Sequence, residues 1–391
     1  MQERVAMRVV VTGGGGYVGY HVGWALSRGG HHVTLLDLTP PDPEWADTAP
    51  RALWDVLPQA SYGMSGREQL SPHAPQQEKV NIEGTREVIR AALTAKVRGL
   101  VYTSTYNVVF GGRQISGGDE TLPLLPLHAH TDHYSRTKAI AEMLVLMADG
   151  KCGPPALPSP GPPHPCPAPP QDLLPQDEWG HGSGGEETHS PHHQRHQYYY
   201  PNAFLSLHRS GLLVLAYGRK DGLVDFIGIQ NVVQAHVKAL VALLKEQTSS
   251  PLVCGEAFFI SDSAPVSYYE YFRPLFEGLG YSFPAFTLPL GVILAVAYLQ
   301  AFTYCLVYKY LPFTPLVTPA EAYKSGVSHY CSNRKAARAF HYAPTRPNDL
   351  SQVVEYYRRQ GCTKGHRTGL VSLLPLALFF ILPVFVLLIV P

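Results

Sequence analysis

The chain has 391 residues, 45% hydrophobic and 16% charged, with a formal net charge of +1. That length suffices for one α/β domain with a smaller lobe, and the near-zero charge gives no argument for nucleic acid or a strongly acidic partner. Six cysteines (Cys152, Cys166, Cys254, Cys305, Cys331 and Cys362) show no paired metal spacing, and a cytosol-facing domain would keep them reduced.

The N-terminus passes within six residues into Met7–Val11, too early for the apolar region of a signal peptide, so none is expected. Met7–Val11 (MRVVV) is a short β-branched run of the kind a buried parallel strand uses. Thr12-Gly13-Gly14-Gly15-Gly16-Tyr17-Val18-Gly19 follows at once, and Tyr17–Leu26 reads as a helix. Strand, glycine turn and helix form the context that a dinucleotide fingerprint requires. Gly13 permits the tight turn, Gly16 lets the backbone approach a pyrophosphate, and Gly19 lets the helix pack close to the strand. The helix that opens at Tyr17 offers its N–H groups to phosphates. A second strand, His32–Leu36, ends at Asp37. An acid there accepts hydrogen bonds from an adenosine ribose and repels a 2′-phosphate, which favours NAD(H) over NADP(H). A glycine-rich turn alone is equally a plain tight loop; the flanking strands and Asp37 tip the balance.

Further on, Gly99–Tyr102 reads as another strand, ending in the hydroxyl triplet Thr103-Ser104-Thr105. Such a hydroxyl can hold a carbinol or carbonyl oxygen. Tyr134-Ser135-Arg136-Thr137-Lys138 then places a phenol and an ammonium four residues apart, on one face of a helix that runs to about Met147. A phenol titrates near pH 10 and is a poor base at neutrality. A neighbouring ammonium and an oxidised nicotinamide ring lower that value and make it a usable acid/base. An isolated Tyr/Lys pair at this spacing is commonplace on solvated helices; the preceding strand and triplet argue for the chemical reading.

Lys151–Gln197 is dominated by Pro, Gly and His and cannot bury enough apolar surface to offset ordering entropy, so it is expected to be a structureless insertion. His189, His192, His193 and His196 lack a Cys or carboxylate at zinc spacing, so no metal is expected. A polyproline ligand for an SH3-type domain is the weaker alternative for its proline tract. Two uncharged runs follow. Thr287–Val307 is the less apolar and is expected to be a helix that packs on the domain or lies in a membrane interface, with a true span the lesser alternative. Gly369–Val390, about 22 residues without charge, is long enough to span a bilayer as a helix despite Pro375 and Pro383. Arg358, Arg359, Lys364 and Arg367 precede it, so the positive-inside rule puts the domain on the cytosolic side.

On these residues the chain resembles an extended short-chain dehydrogenase/reductase of the 3β-hydroxysteroid dehydrogenase branch, and is similar to short-chain dehydrogenase/reductase family 42E. The resemblance is carried by Gly13/Gly16/Gly19, Tyr62-Gly63-Met64-Ser65-Gly66-Arg67-Glu68, Asn81-Ile82-Glu83-Gly84-Thr85 and Tyr102-Thr103-Ser104-Thr105. It continues through His133-Tyr134-Ser135-Arg136-Thr137-Lys138, Phe258-Phe259-Ile260-Ser261-Asp262 and Arg273–Tyr281. It implies that Tyr134 is the proton donor/acceptor, that Lys138 is its partner and touches the nicotinamide ribose, and that Thr105 takes the catalytic Ser/Thr place. Asn81 matches a helix residue that braces the fold near the cofactor. Relatives often form homodimers through the helices carrying Asn81 and Tyr134.

The chain departs from the family pattern in three places. Between Asp37 and Tyr62 a strand, helix and strand are reduced to Leu38–Ser61. Trp54–Ala60 is a poor substitute for the inner strand because of Pro58. After the Lys138 helix, a strand and the segment walling the nicotinamide give way to Lys151–Gln197. Gln230 stands where the family usually has Asp, keeping a hydrogen bond but not the charge.

The expectation is an α/β protein with a Rossmann-type doubly wound parallel sheet, a smaller C-terminal substrate lobe and a C-terminal transmembrane helix. Its domains are a dinucleotide-binding domain 1–148, an insertion 149–199, the rest of the Rossmann fold with the substrate lobe 200–365, and an anchor 369–390. The expected activity is that of an NAD-dependent oxidoreductase on the secondary alcohol or ketone of a steroid or sterol. The catalytic residues are Tyr134, Lys138 and Thr105; the cofactor residues are Gly13, Gly16, Tyr17, Gly19, Asp37 and Lys138. The expected location is the endoplasmic reticulum membrane, with the catalytic domain in the cytosol. The alternative is a dinucleotide-binding or interaction protein without turnover, because catalysis depends on positioning that the departures disturb.

Overall fold

The computed structural model describes residues 6–38, 40–41, 74–149, 215–218, 221–246, 253–283, 286–307, 317–345, 350–359 and 363. The N-terminal unit forms as the apolar pattern dictates. Strand β1 (Arg8–Thr12) pairs in parallel with β2 (His32–Leu36) from Arg8↔His32 to Thr12↔Leu36, and helix α1 (Tyr17–Arg28) crosses between them. Tyr20, Val22 and Leu26 of α1 and Leu35 of β2 are buried, and α1 packs on β2. A Cβ on Gly23 would collide with the Leu35 side chain, so glycine sets how closely α1 lies on β2.

Helix α2 (Ala74–Glu78) runs through a π-helical segment, Lys79–Glu83, into α3 (Gly84–Thr94). Strand β3 (Ile115–Gly118) and the long helix α4 (His133–Met147) follow. Beyond lie β4 (Leu215–Tyr217), β5 (Leu223–Val224), α5 (Ile229–Glu246), β6 (Val266–Ser267) and α6 (Tyr268–Gly278). The C-terminal elements are β7 (Phe286–Leu288), α7 (Leu290–Val307), α8 (Pro319–Gly326), β8 (His329–Cys331), α9 (Arg334–Phe340) and α10 (Ser351–Arg359). A second sheet has the order β3-β8-β5-β6, with β8 parallel to β3 and β5, and β6 antiparallel to β5. Strands β4 and β7 form a separate parallel pair.

This corrects the expected sheet in one respect. Among the described residues the N-terminal sheet has two strands, β1 and β2, and the Gly99–Tyr102 run belongs to no sheet. Val10 of β1 accordingly remains 62% exposed. The run has the apolar composition of a strand, but strand status needs a ladder partner, and composition does not specify one.

Among the described residues the C-terminal half has three apolar clusters, one of them Ala235, Val253, Ala336, Phe340 and Tyr342. Phe272, Leu275, Phe276 and Leu279 of α6 and its end pack against Leu350, Val354 and Tyr357 at α10. Ile293 and Ala297 of α7 pack against Val317 and Ala322 at α8. Helix α7 falls within the run Thr287–Val307 and packs on the domain along Ile293, Ala297, Gln300 and Thr303, while Val292, Tyr298 and Phe302 face outward. Among the described residues no helix is long and apolar enough to cross a membrane. The stretches expected as an anchor, 369–390, and as an insertion, 151–197, lie outside the described residues, as do Leu38–Ser61 except Leu38, Pro40 and Pro41.

Candidate active site

The glycine turn has the geometry its spacing predicts. Gly13 sits at φ +72°, where a side chain is strained, and its carbonyl accepts from Gly16 N–H at 3.0 Å. A Cβ on Gly19 would strike that same carbonyl, so the turn closes only with glycine there. A Cβ on Gly16 would meet only the Gly13 carbonyl, at 3.3 Å, which leaves this residue's open side to a close-approaching ligand. Tyr17 begins α1 directly after the turn and packs edge-on against His21, ring centroids 4.6 Å apart; burial raises the pKa of its phenol. Asp37 accepts from Gly15 N–H at 2.9 Å through one carboxylate oxygen and from Leu38 N–H at 2.7 Å through the other. An ionised carboxylate has about four lone-pair sites, so Asp37 can brace the turn and still accept from ribose hydroxyls. The residues present fit a dinucleotide, with pyrophosphate over the turn and an adenosine ribose at Asp37.

Tyr134 and Lys138 lie on α4, whose start is fixed by its sequence. Asp132 is the N-cap: Oδ1 accepts from Ser135 N–H at 2.6 Å and Oδ2 from Ser135 Oγ–H at 2.8 Å. One turn in, buried Asn81 donates from Nδ2 to Thr137 Oγ1 at 2.9 Å, and Thr137 Oγ1 donates to the Tyr134 carbonyl at 2.8 Å. Asn81 sits in the π-helical segment, a local widening that recurs at functional sites. The brace implied for Asn81 thus has a physical path to Tyr134.

Lys138 Nζ donates to Tyr102 Oη and to the Thr103 carbonyl, both at 2.7 Å, and stands 4.2 Å from the Tyr102 ring centre. Burial lowers its pKa to about 8, against the opposing pull of the Glu142 carboxylate. The hydroxyl triplet divides three ways. Thr103 Oγ1 lies 2.7 Å from His236 Nε2 on α5, and His236 Nδ1 is 2.8 Å from the Val232 carbonyl, so Nδ1 carries the proton and Thr103 donates. Ser104 Oγ is buried with no hydrogen-bond partner at bonding distance, facing the buried Glu142, whose pKa burial raises and Ser104 and Lys138 pull back. Thr105 Oγ1 accepts from Asn107 N–H at 3.3 Å, capping a short 3₁₀ turn, Tyr106–Val108. That bond leaves the Thr105 hydroxyl hydrogen for donation. Because α5 also packs on α1, Thr103 links the Lys138 side of the site to the element that carries the glycine turn.

Several residues of the site were not anticipated. Lys324 of α8 forms a buried ion pair with Asp132, Nζ to Oδ2 at 3.1 Å, tying the C-terminal lobe to the start of α4. His329 of β8 stacks on Tyr106, its Nε2 3.1 Å from the Tyr106 hydroxyl and its Nδ1 2.7 Å from the Val327 carbonyl. Burial pushes the His329 pKa down to about 4. Asp132, three before Ser135, carried a cap signal in the sequence; Lys324, His329 and His236 meet the site only through long-range contacts.

The profile of the 3-beta hydroxysteroid dehydrogenase/isomerase family matches residues 60–154 and 195–290. Short-chain dehydrogenase/reductase family 42E member 1 of Danio rerio is 39% identical over 388 residues, covering 95% of this chain and 93% of that protein. The chain belongs to short-chain dehydrogenase/reductase family 42E. A Mycobacterium tuberculosis 3 beta-hydroxysteroid dehydrogenase/Delta 5-->4-isomerase is 28% identical to this family 42E chain over 371 residues, 90% of each. The solved UDP-glucuronic acid 4-epimerase of Bacillus cereus, in complex with NAD, superposes with a TM-score of 0.55 at 15% identity, covering 90% of this chain and 99% of that one. That likeness shows the fold: the Rossmann-type architecture of the extended short-chain dehydrogenases and epimerases, with a parallel sheet. The family 42E membership carries an oxidoreductase of the 3β-hydroxysteroid dehydrogenase type.

Proposed function

We propose that this protein is an NAD-dependent oxidoreductase that interconverts a secondary alcohol and ketone on a steroid or sterol. The observation that carries the reading is the pairing of Tyr134 and Lys138 on α4, with Lys138 held by the Thr103 carbonyl at the head of the hydroxyl triplet and the Tyr134 turn braced through Asn81 and Thr137. The family description and the mycobacterial relative support the substrate class, and the Gly13–Gly19 turn with Asp37 supports NAD over NADP. When bound, NAD supplies the hydride acceptor or, reduced, the hydride donor.

The residues of the chain handle the proton and the oxygen. Tyr134 takes the hydroxyl proton of the alcohol, or returns it to the ketone oxygen in the reverse direction. The Lys138 ammonium favours the phenolate form of Tyr134 by its charge. Thr105 donates its hydroxyl hydrogen to the same substrate oxygen and fixes its direction. Of the three Lys138 donors, Tyr102 and Thr103 take two, leaving one for a ribose hydroxyl or the Tyr134 oxygen.

A lipid substrate suits the apolar outward face of α7 and the uncharged stretch 369–390, which we read as an anchor in the endoplasmic reticulum membrane with the catalytic domain in the cytosol. Association as a homodimer through the helices carrying Asn81 and Tyr134 belongs to the same reading. One observation favours the second reading, a dinucleotide-binding protein without turnover: the Gly99–Tyr102 run that leads to the triplet is unpaired in the described residues. The test is NAD reduction by the full-length chain over a panel of 3β-hydroxysteroids, beside NADH binding followed by fluorescence. Turnover supports the enzyme; saturable NADH binding with no turnover on any member supports the second reading.

A further inference from the structure

We propose that Tyr102 is a positioning residue of this site: its hydroxyl and ring hold the Lys138 ammonium in place and charged, and so tune proton transfer at Tyr134. The proposal rests on the functional reading above but concerns a residue outside the Tyr134/Lys138/Thr105 set. Two contacts from one side chain converge on Nζ, the hydroxyl oxygen at 2.7 Å and the ring centre at 4.2 Å. Both favour the charged amine, one as an acceptor and the other through the negative face of the ring. The partners are themselves fixed. Thr85 on α3, just past the π-helical segment, faces the Tyr102 hydroxyl, and the Thr103 carbonyl holds Nζ from the next residue.

Burial alone drives Lys138 toward its neutral form, and a neutral amine would no longer stabilise a phenolate. The titratable groups around Lys138 are Tyr134 and Glu142 on its own helix, Tyr102 on the extended segment, and His236, reached through Thr103. Tyr102 itself is held well above the ordinary phenol range by burial, so it stays neutral and serves as acceptor rather than base.

The experiment compares the full-length wild-type chain with Tyr102→Phe, free of cofactor. Competitive acetylation of Lys138 at a series of pH values, read by mass spectrometry, gives the midpoint at which the amine becomes reactive. Loss of a hydrogen bond to a charged group lowers that midpoint by about one pH unit. Tyr102→Phe is expected to show this shift, with NADH binding retained and the limb of the turnover profile that reports Lys138 moved equally. An unchanged midpoint overturns the proposal. If Tyr102→Phe does not fold, the wild-type chain still decides: formaldehyde is expected to form a methylene bridge between Lys138 and the Tyr102 ring, and a bridge to Tyr134 alone overturns the assignment. Neither amine measurement needs turnover, so an enzyme silent on every steroid with a shifted midpoint would refute the activity and not the role of Tyr102.

Discussion

Replacing Lys324 with Met breaks the ion pair that ties α8 to the cap of the Tyr134 helix. The Asp132 side chain is 0% exposed and that of Lys324 10%, so neither can turn to water when its partner goes. Removing one member of a buried pair costs about 3–5 kcal/mol, mostly the penalty of the charge left behind. Asp132 keeps two hydrogen bonds from Ser135 and the favourable end of the α4 dipole, which places Lys324→Met near the low end, at about 3 kcal/mol. Urea unfolding followed by circular dichroism measures it as a fall in midpoint at unchanged slope. Asp132→Asn retains a cap residue and removes the negative charge, so the double variant should recover most of the loss. A Lys324→Met cost below about 1 kcal/mol, or simple additivity in the double variant, would refute the reasoning.

Three further perturbations follow from the same contacts. His329 has a folded value of about 4 against 6.5 unfolded, so the unfolded chain binds more protons between those values and stability falls as pH drops through the window, by about 3 kcal/mol in all. His329→Gln should lack that slope between pH 6.5 and 4 in unfolding measurements. Gly19→Ala puts a Cβ into the Gly13 carbonyl and should weaken NADH binding by more than about tenfold in a fluorescence titration, with the fold otherwise kept. Asn81→Ala removes the donor to Thr137 and should cost about 1–2 kcal/mol, read as a lower melting temperature.

Local signals carried the N-terminal half of the site. The glycine turn, α1, β2 ending at Asp37, and α4 with Tyr134 and Lys138 on one face all follow from spacing within a few residues, and the structure forms each where the pattern places it. Helix α7 was legible from its uncharged run, but its inward stripe of Ile293, Ala297, Gln300 and Thr303 was not, because apolar residues lie on every side of the helix. What else was not legible is non-local. Gly99–Tyr102 reads as a strand whether or not a neighbour pairs with it, and here it supplies the phenol that contacts Lys138. Lys324 meets Asp132 across 192 residues and His329 meets Tyr106 across 223, separations at which no sequence pattern specifies a partner. The π-helical segment at Asn81 is one extra residue in a helical turn, invisible in an otherwise ordinary amphipathic run.

The central claim is that Tyr134 moves a proton in an NAD-dependent reaction. The most direct measurement sets full-length wild type beside Tyr134→Phe, recording NADH affinity by fluorescence and NAD reduction with a 3β-hydroxysteroid in the same preparations. Removing a general acid/base of this kind lowers turnover by about 10²–10⁴-fold. The account predicts that loss with NADH affinity within about threefold of wild type, since Tyr134→Phe leaves the Gly13–Gly19 turn and Asp37 untouched. Equal turnover by the two proteins, or a folded wild-type chain that does not bind NADH, would contradict it.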